Sequence, residues 1–440
     1  MLTKIIDALN ARKEISAWTV RHITSQGVQV YAVPKQIESQ RAVGSESYKI
    51  DVLRDTKNAD GSPAVGSGDV TILPDDDIDG AIDQAALVAS LVANPVHSIP
   101  APGTFPDVQL VDEEFKKDPT TIMKKLMDDI RSTASKDDKV HLTAAECFGD
   151  IHTSHLVNSR GIDVDQESTK VAIELVLQTK RDDLETESFV EKSRRRVLDI
   201  NAINEIELQS QYTLDLLDAK SPPTSTGAVV LRDEALATLL AGTSLTGSVL
   251  QTQSSAATKY SKMTSWEIGK SVFKGEVKGD PLTVWANRRI PYGTLSNRFD
   301  NEGLPAQRVE LIKENKLVTF QASQRYGEYL GILATGAFGG VELPAGRTDT
   351  SSLLEEPYVE VIRFSWFNPD RITGDFATEI RLGYLVENGV RTPFKGGLLI
   401  GNYMDALADV RWSVETGSFG TYLGPHTARF RNLKVSGENA

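Results

Sequence analysis

Short runs in which apolar and polar residues alternate constrain this chain more than any other feature. Trp18, Val20 and His22 alternate with Thr19, Arg21 and Ile23. Val28, Val30 and Ala32 alternate with Gln29 and Tyr31, and Tyr48, Ile50 and Val52 with Lys49 and Asp51. Successive side chains of a strand point to opposite faces, so a period of two marks a sheet with one covered and one open face. These runs predict three or four antiparallel strands, with Gly27 and Gly44 near turns. Further strands are predicted at 139–147, 151–157 and 171–177; in the last, Val171, Ile173, Leu175 and Leu177 alternate with Glu174 and Gln178. A sheet of this kind needs helices over its apolar face. Leu2, Ile5, Ile6 and Leu9 have helical spacing, and helices are also expected at 78–93 and 120–133, the latter with Ile122, Leu126, Met127 and Ile130 on one face. A long helical segment is predicted over 186–219.

Lys220-Ser-Pro-Pro-Thr-Ser-Thr-Gly227 is the clearest linker signal. It divides the chain into residues 1–220 and 221–440. The second half opens with a strand at 228–231 and a helix capped by Asp233. After about residue 283 it becomes short strands between turns such as Asp300-Asn-Glu-Gly303, Glu387-Asn-Gly389 and Gly396-Gly397. The expected fold class is α+β in two domains: an N-terminal antiparallel sheet with helices, and a β-rich C-terminal domain, sandwich- or barrel-like, with a few helices.

Composition narrows the chemistry. The 440 residues carry 48 Lys and Arg against 61 Asp and Glu, a net charge of −13. A nucleic-acid binder needs a basic face to displace counterions from phosphates, so none is expected as a partner. No signal-peptide run or membrane-length apolar stretch is seen, and a cytoplasmic protein without a membrane partner is expected. The single cysteine, Cys147, excludes an intramolecular disulfide and a multi-thiolate metal cage. Imidazole chemistry must draw on His22, His97, His141, His152, His155 and His426.

The standard constellations fail in turn. Asp75-Asp-Asp-Ile-Asp-Gly80 begins like a calcium loop, but the twelfth position is Ala86 rather than glutamate. These acids are better read as capping the helix that follows. Gly269-Lys-Ser271 lacks the upstream glycine of a phosphate loop. His152 and His155, three apart on a strand, face opposite sides. A hairpin at 148–150 would be needed to bring His152 near Cys147 for nucleophilic chemistry.

Several blocks, in order, resemble the TldD/PmbA family, whose members were once named for modulation of DNA gyrase. They are Val157-Asn-Ser-Arg-Gly161, Phe299-Asp-Asn-Glu-Gly303 with Arg308, Phe367-Asn-Pro followed by Thr373-Gly-Asp-Phe376, Tyr384-Leu-Val-Glu-Asn-Gly389 with Gly401-Asn402, and the closing Phe430-Arg-Asn-Leu-Lys-Val. The resemblance covers residues 222–440 and, more weakly, the first half. It implies a metallopeptidase-related fold. TldD-type members hold a metal with two histidines of an HExxxH helix and a cysteine near the C-terminus, and the helix glutamate activates water. Here the corresponding helix reads Asp233-Glu-Ala-Leu-Ala-Thr-Leu-Leu-Ala without histidine, and the segment 414–426 has no cysteine.

The resemblance is therefore to the PmbA/TldE branch, which lacks the same ligands and assembles with a TldD subunit into a complex that processes ribosomally made peptides and degrades unfolded ones. It implies no cofactor or metal in this chain, a TldD-like catalytic subunit (or a second copy) as partner, and a peptide substrate. Two alternatives stand beside it: a stand-alone peptidase or hydrolase, with Asp300, Glu302 and Asp375 as its carboxylates, and a homodimeric peptide-binding or scaffold protein. The family-motif residues Asp300, Glu302, Gly303, Arg308, Gly374, Asp375 and Asn388 are candidates either for a peptide groove or for structural turns.

Overall fold

The computed structural model describes residues 1–33, 36–242 and 247–437. The first domain runs α1 (Leu2–Asn10), β1 (Ala17–Val33), β2 (Gln36–Lys57), β3 (Pro63–Ile72), α2 (Ile78–Ser90), α3 (Glu113–Lys117), α4 (Pro119–Ala134), β4 (Val140–Asn158), β5 (Asp163–Arg181), β6 (Leu184–Arg194), α5 (Val197–Ile200) and α6 (Ala202–Asp215). Its six strands form one antiparallel sheet in the order β3-β2-β1-β4-β5-β6. The expected alternation is what packs it. Val171, Ile173, Leu175 and Leu177 turn inward with Val28, Val30 and Cys147 onto Met123, Met127 and Ile130 of α4. Toward the other end, Val20, Ile50 and Val52 meet Ile5 and Leu9 of α1 and Ile82, Ala85 and Ala89 of α2.

The strands are much longer than their alternating runs suggest, and several expectations give way for that reason. Gly27 and Gly44 lie within β1 and β2, paired to Val43 and Gln26, rather than at turns. The two strands expected at 139–157 are one strand, which runs straight through Phe148-Gly149-Asp150. Gly149 is needed there because a Cβ would come within 2.7 Å of Met123 Sδ and of the Phe115 ring. No hairpin therefore brings His152 to Cys147. The helix expected over 186–219 is confined to the short α5 and to α6 from Ala202; residues 184–194 are β6, an edge strand whose polar residues pair with β5. Local polarity there reads as a helix surface, and only long-range pairing makes it a strand.

The capping expectations also change. Asp77 precedes α2 but makes no side-chain cap, Asp76 accepts the Leu73 N–H (2.8 Å), and Asp79 pairs with Arg12.

The second domain begins with β7 (Val229–Arg232) and α7 (Asp233–Ala241), followed by α8 (Val249–Gln253), α9 (Ala256–Tyr260), β8 (Val284–Asn287), β9 (Arg308–Lys313), β10 (Lys316–Leu317), α10 (Gln324–Leu330), β11 (Gly340–Glu342) and α11 (Thr350–Leu353). It ends with β12 (Tyr358–Phe364), β13 (Asp375–Glu387), β14 (Val390–Phe394), β15 (Leu398–Asn402), α12 (Tyr403–Ala408), β16 (Val410–Trp412), β17 (Thr416–Ser418), β18 (Tyr422–Pro425), β19 (Thr427–Phe430) and β20 (Lys434–Ser436). A six-stranded sheet, β10-β9-β8-β11-β18-β17, and an eight-stranded sheet running from β16 to β20 share one core with α7 and α12. Leu236, Leu239 and Leu240 of α7 and Tyr403 and Leu407 of α12 are buried between strand residues such as Val229, Val361, Val284 and Tyr422. Asp233 does not cap α7. It is the first helical residue, at φ 49°, and its N–H bonds the His426 carbonyl (2.9 Å). Among the described residues no helix is long and apolar enough to cross a membrane.

Candidate functional site

The candidate residues lie in separate places. Asp300 is buried and saturated: one carboxylate oxygen accepts the N–H groups of Glu302 (3.0 Å) and Leu304 (2.9 Å), and the other accepts that of Ala337 (2.8 Å) and lies 3.8 Å from Arg288. Carboxylates bonded this way shape turns. The turn carries Phe299 and Gly303 against Leu156 and Ile162 of the first domain. Gly303 has φ 95°, a conformation that favours glycine. Glu302 accepts the Gln324 N–H (2.9 Å), and burial, reinforced by the charges of Asp300 and Asp51, pushes its carboxyl up to about 7.

Arg308 lies on β9, forked onto both oxygens of Glu342 (2.8 and 2.9 Å) with its guanidinium 4.0 Å from the Trp285 ring centre. Asp375 starts β13 and accepts Asn402 Nδ2 (2.9 Å), a bond that holds its carboxyl below the usual range. Gly374 precedes it at φ 83°. Asn388 and Gly389, both at positive φ, make the two-residue turn between β13 and β14. The fold does not bring these seven residues together, and none of them lines the large cavity.

That cavity, about 2250 Å³, lies between the two domains. One wall is the outer face of β4, β5 and β6 with part of α6; the other includes α7, Arg363 and Trp366. Arginines staple the walls at their junction. Buried Arg195 donates to the carbonyls of Gly293 (2.8 Å), Thr294 (3.2 Å) and Ser296 (2.6 Å) across the domains, and burial lowers its guanidinium to about 10. Arg298 reaches back to the Asp165 carbonyl (2.7 Å), and Arg21 to the Asn301 side chain (2.7 Å). Within the cavity Arg194 pairs with Glu234 of α7, Lys192 with Glu205 (2.6 Å), and Arg391 with Glu360 (3.0 Å).

The helix α7 is the element that the resemblance assigns to metal binding. Its apolar side enters the core, and Asp233, Glu234, Ala237, Thr238 and Ala241 face the cavity. This surface has carboxylates, a hydroxyl and methyl groups, but no imidazole or thiolate. Cys147 is fully buried against α4, and burial pushes its thiol up to about 12, so it offers no thiolate. His426 is near α7, with Nδ1 3.4 Å from Asp233, but Nε2 lies at Thr350 Oγ1 (3.2 Å) and Nδ1 also at Thr427 Oγ1 (3.2 Å). Among the described residues no three His, Cys, Asp or Glu side chains gather closely enough to hold a metal ion. The donors present do not fit the zinc site of a TldD-type peptidase.

The cavity residues were not visible as a group in the sequence. Glu174, Phe189 with Glu191, Asp233 and Arg363 come from four separate stretches, and the available signal was the alternation that put Glu174 on the open face of its strand.

Comparison with known proteins agrees with this architecture. Residues 224–437 match the sequence profile of the PmbA/TldA metallopeptidase C-terminal domain. An uncharacterised protein of Methanocaldococcus jannaschii is 25% identical over 268 residues, 57% of this chain and 59% of that relative's length. Among solved structures, a proposed modulator of a DNA gyrase from Thermotoga maritima superposes with a TM-score of 0.81 at 17% identity, covering 99% of this chain and all of the other. TldE from Thermococcus kodakarensis superposes with a TM-score of 0.79 at 18% identity, with the same coverage. At such identities these two establish the fold. The matched profile assigns residues 224–437 to the C-terminal domain of the PmbA/TldA metallopeptidases, and the chain as a whole shares the fold of these two structures.

Proposed function

We propose that this chain is a metal-free, non-catalytic subunit of the PmbA/TldE type, which pairs with a TldD-like catalytic subunit in a cytoplasmic complex that cleaves small or unfolded peptides. The observation that carries this reading is the cavity face of α7. At the place where a TldD-type enzyme needs two imidazoles and a glutamate, this helix presents Asp233, Glu234, Ala237 and Thr238. A protein that keeps a 2250 Å³ interdomain cavity but lacks donors for the metal can shape a chamber without performing the hydrolysis. The likeness to TldE from Thermococcus kodakarensis supports the same assignment.

The test is reconstitution. The purified chain, alone and mixed with a TldD-type protein from the same cell, is analysed by size exclusion, metal content and cleavage of an unfolded peptide. The expected result is a mixed complex that cleaves peptide, with the metal in the partner. Stoichiometric zinc or iron in this chain, or cleavage by it alone, refutes the reading in favour of a stand-alone peptidase. A homodimer that ignores the partner and never gains activity with it refutes it in favour of a scaffold.

A further inference from the structure

The helix α2 is apolar on two sides at its C-terminal end. Its inward side, Ile82, Ala85 and Ala89, packs with Ile5 of α1, Val52 of β2 and Ile72 of β3. Its outward side carries Asp79, Asp83, Leu87 and, at the cap position, Leu91. These four are spaced by four residues and so form one ridge along the helix. Leu87 is 60% and Leu91 78% exposed, with Val88 (42%) and Val92 (38%) beside them. A surface helix of a soluble protein ordinarily keeps its outer face polar, and the last turns of α2 do the reverse. Val96 carries the patch on toward α10, where the His97 ring stands edge-on to that of Tyr329 (5.7 Å). A contiguous exposed apolar patch rimmed by charge marks an interaction surface. None of these residues lines the interdomain cavity, which lies against the opposite face of the N-terminal sheet, so the chamber does not account for them.

The two rims of the patch differ in charge. On one side stand Asp75, Asp76, Asp77, Asp79 and Asp83, of which Asp79 and Asp83 pair with Arg12 (3.0 and 2.8 Å). On the other side two arginines hold the segment that follows the helix. Arg160 Nη1 donates to the Ile99 carbonyl (2.6 Å), and Arg325 Nη2 to the Asn94 side chain (2.7 Å). One carboxylate, Glu328, accompanies them and accepts the Ser98 N–H (2.8 Å). The order along the surface is therefore acidic, apolar, basic. Such a surface is complementary to itself when turned through a half-rotation, which is the requirement of an isologous interface. A parallel stacking sets acid against acid and is disfavoured.

We infer that α2 is a self-association surface. Two copies of this chain pack their α2 helices antiparallel, with Leu87 and Leu91 of each beside the two-fold axis and the acidic end of each α2 facing Arg160 and Arg325 of the other. The interface lies away from the cavity, so a second copy at α2 and a TldD-like subunit at the chamber occupy different surfaces.

The test uses the full chain alone, by sedimentation equilibrium between 1 and 100 μM, concentrations that bracket a dissociation constant of about 10 μM. The native chain is expected to form a reversible dimer that weakens as salt is raised. Leu91→Glu, at an exposed position, is expected to leave the melting temperature unchanged and to weaken the dimer about thirtyfold or more, and Arg160→Glu to weaken it about fivefold or more. Leu91→Cys supplies an independent readout, because the native Cys147 is fully buried. Diamide, the oxidant, is reduced as it converts two such thiols to one disulfide. The covalent dimer is expected to form much faster than with Val390→Cys, an exposed control on the β13–β14 turn. A monomer at 100 μM, a dimer indifferent to Leu91→Glu, or cross-linking no faster than the control overturns the inference. A monomer whose mixed complex with a TldD-type protein is lost on Leu91→Glu also overturns it, and gives this surface to the other subunit. Peptide cleavage with a TldD-type partner that survives Leu91→Glu leaves the subunit assignment standing whichever way the self-association result falls.

Discussion

Replacing Glu302 by glutamine tests how the two domains are held together. This carboxyl sits in the turn that docks onto the first domain, with Asp300 beside it, Asp51 of β2 across the interface and Arg325 of α10 nearby. Burial, then its acidic neighbours, raises it from the ordinary 4.5 to about 7. Between those values the native protein holds a proton that the unfolded chain has released, so stability falls as pH rises through this window and the loss is complete above it. A shift of this size corresponds to about 3 kcal/mol, an upper figure because the side chain is only partly shielded from water. Glutamine keeps an oxygen for the Gln324 N–H and has no charge to bury. Urea unfolding followed by tryptophan fluorescence, across pH 4.5 to 8.5, is expected to show the native chain losing stability relative to Glu302→Gln as pH rises toward 7. Profiles that stay parallel within about 0.5 kcal/mol across the range would refute the argument that a buried carboxylate strains this interface.

Three other perturbations probe separate parts of the fold. Gly303→Ala places a side chain at φ 95° and a Cβ 3.1 Å from both Ile162 and Leu156, so a loss of about 1–3 kcal/mol is expected, read as a lower melting temperature; an unchanged melting curve counts against the docked turn. Cys147, fully buried with its thiol pushed up to about 12, is expected to resist a thiol-specific reagent at pH 8 until the protein is unfolded in urea, and labelling at the unfolded rate under native conditions would contradict its placement. Arg308→Lys keeps the charge but loses the fork onto Glu342 and the contact with Trp285, and should cost about 1 kcal/mol; a double-mutant cycle with Glu342→Gln showing no coupling would remove that ion pair from the account.

Much of the first domain was legible because its strands obey the simplest rule. Where one face is covered and one open, alternation survives in the sequence, and β1, β2 and β5 were found from it. Helices α1 and α4 were found from their apolar spacing. What misled was local in each case. Gly27 and Gly44 read as breaks, yet long paired strands absorb them, and Thr186-Glu-Ser-Phe-Val-Glu-Lys read as a helix surface, yet pairing with β5 makes it an edge strand. Polar edge residues carry little periodic signal, because neither face of such a strand is uniformly buried.

The candidate site divides in the same way. The missing imidazole and thiolate are facts of composition and position: six histidines, one cysteine, and none of them in the helix 233–241. No folding could supply those donors, so the sequence by itself determined which chemistry α7 lacks. Where the motif residues lie was a matter for the tertiary structure alone. From the sequence Asp300 could be either a reactive carboxylate or a turn residue, and three backbone N–H groups and Arg288 around it make it the latter. The cavity and the row Glu146, Glu174, Glu191 exist only because strands distant in the chain lie side by side, and the positions of charges relative to one another are set by that pairing rather than by their order along the backbone.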